Sequence, residues 1–218
     1  MDQIYETEKE RYPTTRQPYQ VEFKFEQRAN AEPITNTSSS INGRIFASSD
    51  GLQLFQARPD GFSHNRLAPY TDWASFQSEA RRLWVKYRDI ARPEVIELLG
   101  LTFINRVTIP GGARIEDYFN AYVEVPETLP QVLETHNFAI QMAVPDSKAK
   151  LALTVNFGPF GRDGKAQIMM NVQAFILMNR PISEFSEDEI WSTFGTLRSL
   201  KNLVFESSIT EKLRAGFR

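Results

Sequence analysis

Cysteine is absent from the 218 residues, which excludes disulfides, a thiol nucleophile and any zinc–thiolate site. That composition suits a reducing compartment, and a cytoplasmic location is expected. Long hydrophobic runs are missing too. Ile168–Met170 and Ala174–Met178, the longest, are interrupted by Asn171 and Gln173, far short of the ~20 apolar residues of a membrane span. No membrane association is expected. Residues 1–16 carry charge throughout, unlike the apolar centre of a secretory signal. Basic charge is not in excess. Lys and Arg number 25 against 27 Asp and Glu, a net charge of −2, which argues against sequence-independent binding to nucleic acid through counterion release. Histidine is scarce, and neither His64 nor His136 has a second ligand at helical metal-binding spacing. Gly111-Gly112 follows a predicted strand, but no Gly-Lys-Ser/Thr sequence or capped amphipathic helix comes after it. No cofactor, metal site or catalytic cluster is therefore expected.

What is present is an ordinary globular composition, 41% hydrophobic and 24% charged, in a chain long enough to bury roughly 70% of its unfolded surface. A short charged helix up to Tyr12 is predicted, ended by Pro13. Val21–Glu26 alternates apolar and charged residues, the period of a half-buried strand. Residues 28–43 are polar and turn-rich and are expected to form a mobile loop. Strands at 44–48, 52–58 and 62–67, joined by Asp50-Gly51 and Asp60-Gly61, make a meander. Thr71 or Asp72 then caps a helix to about Ala91, with Trp73, Phe76, Ala80, Leu83, Tyr87 and Ile90 on one face. A long strand, 100–109, follows.

The less regular stretch 111–134 has room for short helices at 115–119 and after Thr128. Alternation then marks strands through Phe138–Val144, Leu151–Phe157 and Ile168–Met178. Ser186 with Glu189 is a capping box opening a final helix with Ile190, Phe194, Leu197, Leu200 and Val204 on one face. Hairpins without strand–helix–strand alternation predict an α+β fold. It is expected as a single domain, 1–218, with two similar halves at about 17–110 and 135–206, each an antiparallel meander followed by a long amphipathic helix. The pattern is that of a structural duplication.

The acidic run Glu187-Asp188-Glu189 is explained by its place in a helix's first turn. Residues 81–88 interleave cations and aromatics, but Leu83 and Tyr87 belong to the apolar stripe, so Arg81, Arg82, Lys86 and Arg88 are expected on a solvated face. Two features go further. Opposite the apolar residues of the second-half strands lie Gln141, Thr154, Asn156, Asn171 and Gln173, with few charges. Uncharged amides on a sheet point to a face that is covered yet polar, whether by the rest of the chain, a second subunit or a small ligand. The second feature is a pair of strand dipeptides, Asn65-Arg66 and Asn105-Arg106. Asn105 falls on the apolar face, and Arg66 shares a face with Phe62 and His64. These residues read either as a hydrogen-bond network linking strands or as an anion site, because arginine forks recognise carboxylate and phosphate.

Phe62-Ser-His-Asn-Arg-Leu67, Pro69-Tyr70, Trp73, Phe76, Leu83-Trp84 and Gly100-Leu-Thr-Phe-Ile-Asn-Arg106 resemble a widespread but sporadically distributed family of uncharacterised bacterial proteins. Phe205-Glu-Ser-Ser-Ile-Thr210 is similar to its C-terminal pattern. Members usually begin with a further strand containing Pro-Pro, so the resemblance implies a sheet edge left exposed or filled by a partner. It carries no known activity. Its patchy distribution implies an accessory gene, of the kind found in phage defence and toxin immunity. The function expected from the sequence is a non-enzymatic protein-interaction or regulatory module acting as a homodimer or with a partner protein. The alternative is a small-ligand or nucleotide sensor using Arg66 and Arg106, with His64 and Asn105 beside them. A third reading assembles carboxylates such as Glu116, Asp117 and Glu124 from loops into an active site.

Overall fold

The computed structural model describes residues 2–26, 34–41, 43–130, 135–160 and 164–217. The fold is α+β, in two compact units, Met1–Glu94 and Val95–Arg218. Among the described residues, no helix is long and apolar enough to cross a membrane.

The first unit runs α1 (Asp2–Glu8), β1 (Thr14–Arg16), β2 (Tyr19–Glu26), β3 (Ile34–Ile41), β4 (Arg44–Ala47), β5 (Gln53–Arg58), β6 (Gly61–Arg66) and α2 (Trp73–Ala91). Strands β1-β4-β5-β6 form an antiparallel sheet in that order. Its core joins Phe46, Phe55 and Ala57 of the sheet to Leu83 and Tyr87 of α2 and to Ile4 and Tyr12 near the N-terminus. Phe46 and Phe55 stack at 4.2 Å, and Tyr12 meets Phe55 edge-on at 4.9 Å. Asp72 caps α2 by accepting from the Ser75 amide (2.8 Å). At the other end Arg92, in the left-handed region, donates its N–H to the Arg88 carbonyl just before Pro93.

Residues 34–41, expected in a loop, instead form β3, paired along its whole length with β2. Ile34, Thr35, Thr37 and Ile41 are compatible with a strand, and a two-stranded ribbon outside the main sheet can pair its backbone without an apolar pattern. Residues 28–33 of that expected loop lie outside the described residues. The ribbon continues the β1–β4 pairing with an offset of one residue. Arg16 pairs with Ile45, but Tyr19 pairs with Ile41, so the returning side has one residue more. Gly43 lies at this bulge with φ +95°.

The second unit runs β7 (Val95–Pro110), β8 (His136–Ala143), β9 (Ala149–Phe160), β10 (Lys165–Pro181), α3 (Glu187–Ser208) and α4 (Glu211–Ala215). Its antiparallel sheet has the order β7-β10-β9-β8. The predicted strand at 100–109 is longer than expected and belongs here, not with the first half, because β7 pairs with β10 from Lys165↔Pro110 to Pro181↔Val95. The helix expected at 115–119 is a single 3-10 turn, Ile115–Asp117. The one expected after Thr128 runs into residues 131–134, outside those described.

Helix α3 opens with the expected capping box, Ser186 and Glu189 each accepting from the other's amide. It buries Ile190, Trp191, Leu197 and Val204 against β7, β9 and β10. The Phe205–Thr210 segment is tied to the loop after β7. Asn120 donates its side-chain amide to the Ser207 and Ile209 carbonyls, and the Thr210 hydroxyl donates to Asp117 O. The units share a plan, a four-stranded antiparallel sheet followed by a long helix, but not a strand order. The strand preceding the meander pairs with its first strand in one unit (β1 with β4) and with its last in the other (β7 with β10).

Candidate functional site

Two surfaces carry the residues singled out in the sequence, one in each unit. In the first, β6 alternates so that Phe62, His64 and Arg66 point one way. His64 stacks on Phe76 of α2 with ring centroids 4.9 Å apart. Beyond this stack opens a cleft of about 370 Å³, lined by Arg11, Gln53, His64, Arg66, Tyr70, Thr71, Ser75, Phe76, Ser78 and Glu79.

The charges in this cleft are unevenly matched. Glu79 accepts from Arg82 through both oxygens (2.8 and 2.9 Å) and from the Tyr12 hydroxyl (2.8 Å), and Arg11 lies 3.6 Å away. Burial pushes the Glu79 carboxyl up, but the bonds from Arg82 and Tyr12 outweigh it and hold it at about 2. Burial and then the bond to Glu79 push the Tyr12 hydroxyl above its ordinary value. Arg66 is half-buried, and its Nε is closed to solvent with no hydrogen-bond partner among the described residues. Both ring nitrogens of His64 are in the same condition. Burial lowers the His64 imidazole to about 4, so it is neutral at pH 7.

Asn105 and Arg106 belong to the second unit, whereas the described lining of this cleft falls between Arg11 and Glu79 of the first. Arg66 lies on β6 of the first unit and Arg106 on β7 of the second. Their strands belong to different sheets. Asn105 sits on the α3-facing side of β7 and donates to the Met170 carbonyl (3.3 Å), a cross-strand structural bond. Arg106 is exposed on the opposite side.

On that opposite side the strand register gathers the amides into cross-strand rows. Thr102, Gln173, Ala152 and Gln141 form one. Ile104, Asn171, Thr154 and Ala139 form the next, followed by Arg106, Met169, Asn156 and Asn137. All five residues expected on a polar covered face thus share a face. Gln141 is exposed, whereas Thr154, Asn156, Asn171 and Gln173 are half-buried. Helix α3 packs on the other side of this sheet. Interspersed with the amides, Leu98, Ile104, Met169 and Leu177 are exposed, Ile104 by 62%. Oδ1 of Asn171 is closed to solvent without a hydrogen-bond partner.

Other sequence candidates have structural roles. Arg82 is not on a solvated face, because its two terminal nitrogens bond the Glu8 carboxylate (2.8 and 2.7 Å), which is only 1% exposed. Glu79, three residues before Arg82, was a readable helical pair. Glu8 was not, since 74 residues separate it from Arg82. Glu116 pairs with Arg114 and Asp117 with Lys212. Among the described residues no three carboxylates or histidines are grouped to hold a metal ion. Lys201, unremarked in the sequence, is buried under α3 with its ammonium 3.6 Å from the Phe103 ring centre. Burial lowers it to about 8. Comparison with protein-family models, with curated proteins and with solved structures finds no match to this chain.

Proposed function

We propose that this protein is a non-enzymatic interaction module that docks a partner protein on the open face of its second sheet. The observation that carries this reading is the composition of that face, where half-buried amides and a threonine alternate with exposed Leu98, Ile104, Met169 and Leu177. Four strands ~4.8 Å apart and several residue rows give a sheet face on the order of 500 Å². A solvated sheet face of that size normally carries many charges. On this face of the sheet the charged side chains are Arg106, Lys150 and Lys165, all cations.

Two copies meeting through this face would bring like charges together, so the complementary occupant is a different protein. It presents a flat, amide-rich and apolar surface with carboxylates opposite Arg106 and Lys150. The resemblance to a patchily distributed bacterial family supports an accessory role, of the phage-defence or toxin-immunity kind.

Native mass spectrometry of the protein purified gently from its host tests this reading. The expected result is a hetero-complex lost in Asn171→Lys/Gln173→Lys but kept in Thr196→Lys, a change on the exposed side of α3. A complex that survives the double substitution removes the proposed surface. A homodimer alone would replace the partner protein with a second copy.

A further inference from the structure

Arg66 differs from the other arginines around it. Arg82 is matched by Glu8 and Glu79, Arg44 by Asp2 and Arg58 by Asp60. Arg66 is half-buried, and its Nε is closed to solvent with no hydrogen-bond partner among the described residues. Asp50 attracts this guanidinium without forming an ion pair with it, and a bound anion would meet it directly. The ring nitrogens of His64, two residues away on the same face of β6, are also closed to solvent without a partner among the described residues. Arg11 brings a second guanidinium to the lining. Glu79, the one acid among the described lining residues, is engaged by Arg82 and Tyr12 and lies 3.6 Å from Arg11, which is itself largely exposed. The remaining wall includes the rings of Tyr70 and Phe76. A volume of about 370 Å³ falls within the range of small-molecule sites.

We infer that the cleft between β6 and α2 binds a small organic molecule bearing a phosphate or carboxylate group. The oxyanion sits on Arg66 and Arg11, and the rest of the molecule lies against Tyr70 and Phe76. A guanidinium fork matches either oxyanion in a bidentate manner, and the aromatic wall favours a ligand with an apolar or planar body. This site is separate from the docking face of the second sheet and does not depend on it.

The test is thermal shift and calorimetry on the full chain with AMP, benzoate and uncharged adenosine. Saturable stabilisation by AMP or benzoate, but not by adenosine, is expected, and which anion binds identifies the oxyanion. Arg66→Gln is expected to weaken binding at least tenfold while leaving the Tm of the unliganded protein unchanged or higher. Arg106→Gln is expected to bind as the parent does. Absence of binding by both anions at millimolar concentration overturns the inference. So does an Arg66→Gln protein that binds normally. One that fails to fold also overturns it, because Arg66 would then have a structural counterpart within the chain.

Discussion

His64 and Lys201 show how burial acts on a single side chain. His64 is stacked on Phe76 and held neutral, its imidazole lowered by burial to about 4. Between pH 6.5 and about 4 the unfolded chain takes up a proton that the folded chain refuses. Stability is therefore intact above 6.5 and falls with pH through that window, by up to ~3 kcal/mol for a shift of this size. Urea unfolding followed by tryptophan fluorescence should show that slope, and His64→Phe should flatten it. His136, stacked on Phe157 and also lowered by burial, adds to the slope with the same sign. Lys201 is lowered from 10.5 to about 8, so folding is penalised progressively as pH falls from 10.5 to 8 and fully below that. The Phe103 ring offsets part of the penalty. Lys201→Met is expected to stabilise the protein at pH 7 by ~1–2 kcal/mol, with a smaller gain at pH 10, as measured by chemical denaturation. The unmatched state of Arg66 belongs to this scale too. Its side-chain direction followed from strand alternation, but that its Nε has no partner among the described residues emerges only from the tertiary structure.

Between elements, an electrostatic tie runs from α1 to α2. Arg82 bonds Glu8 and Glu79, and Lys86 approaches Glu8 at 3.8 Å. Arg82→Met would strand the buried Glu8 carboxylate and should cost ~3 kcal/mol or more. Glu8→Leu/Arg82→Met should lose less than the sum of the single changes, with a coupling energy of ~1–3 kcal/mol in a double-mutant cycle. Additive effects would show that Glu8 and Arg82 do not act as a pair. At the root of the β2–β3 ribbon, a Cβ at residue 43 would stand 2.4 Å from the Ala57 carbonyl oxygen, and φ is +95°. Gly43→Ala is expected to destabilise the first unit by ~2 kcal/mol or more and to speed amide exchange across β4. Unchanged exchange would mean that the bulge tolerates a side chain. Helices with caps were legible in the sequence, since Asp72 and Ser186 sit where the apolar periodicity begins. The strand β3 was not. Its pairing partner supplies the ladder of hydrogen bonds, so no apolar pattern was needed to announce it.

For the whole molecule, each unit contains its own sheet and its own long helix. Residues 95–218 are therefore expected to fold alone, with a cooperative thermal transition and a near-ultraviolet signal from Trp191. A chain that stays unfolded when cut at Glu94 would show that the second core is incomplete without the first. Local chemistry determined the α+β class, the helix limits at Asp72 and Ser186, and the shared polar face of Gln141, Thr154, Asn156, Asn171 and Gln173. Period-2 alternation assigns a face without knowledge of neighbours. Tertiary structure decided that β7 joins the second sheet, that Arg66 and Arg106 stand on different sheets, and that Arg82 closes on Glu8. Those outcomes depend on which strands pair and which distant charges meet, and hydrogen-bond pairing between segments far apart in the chain leaves no periodic mark in the sequence.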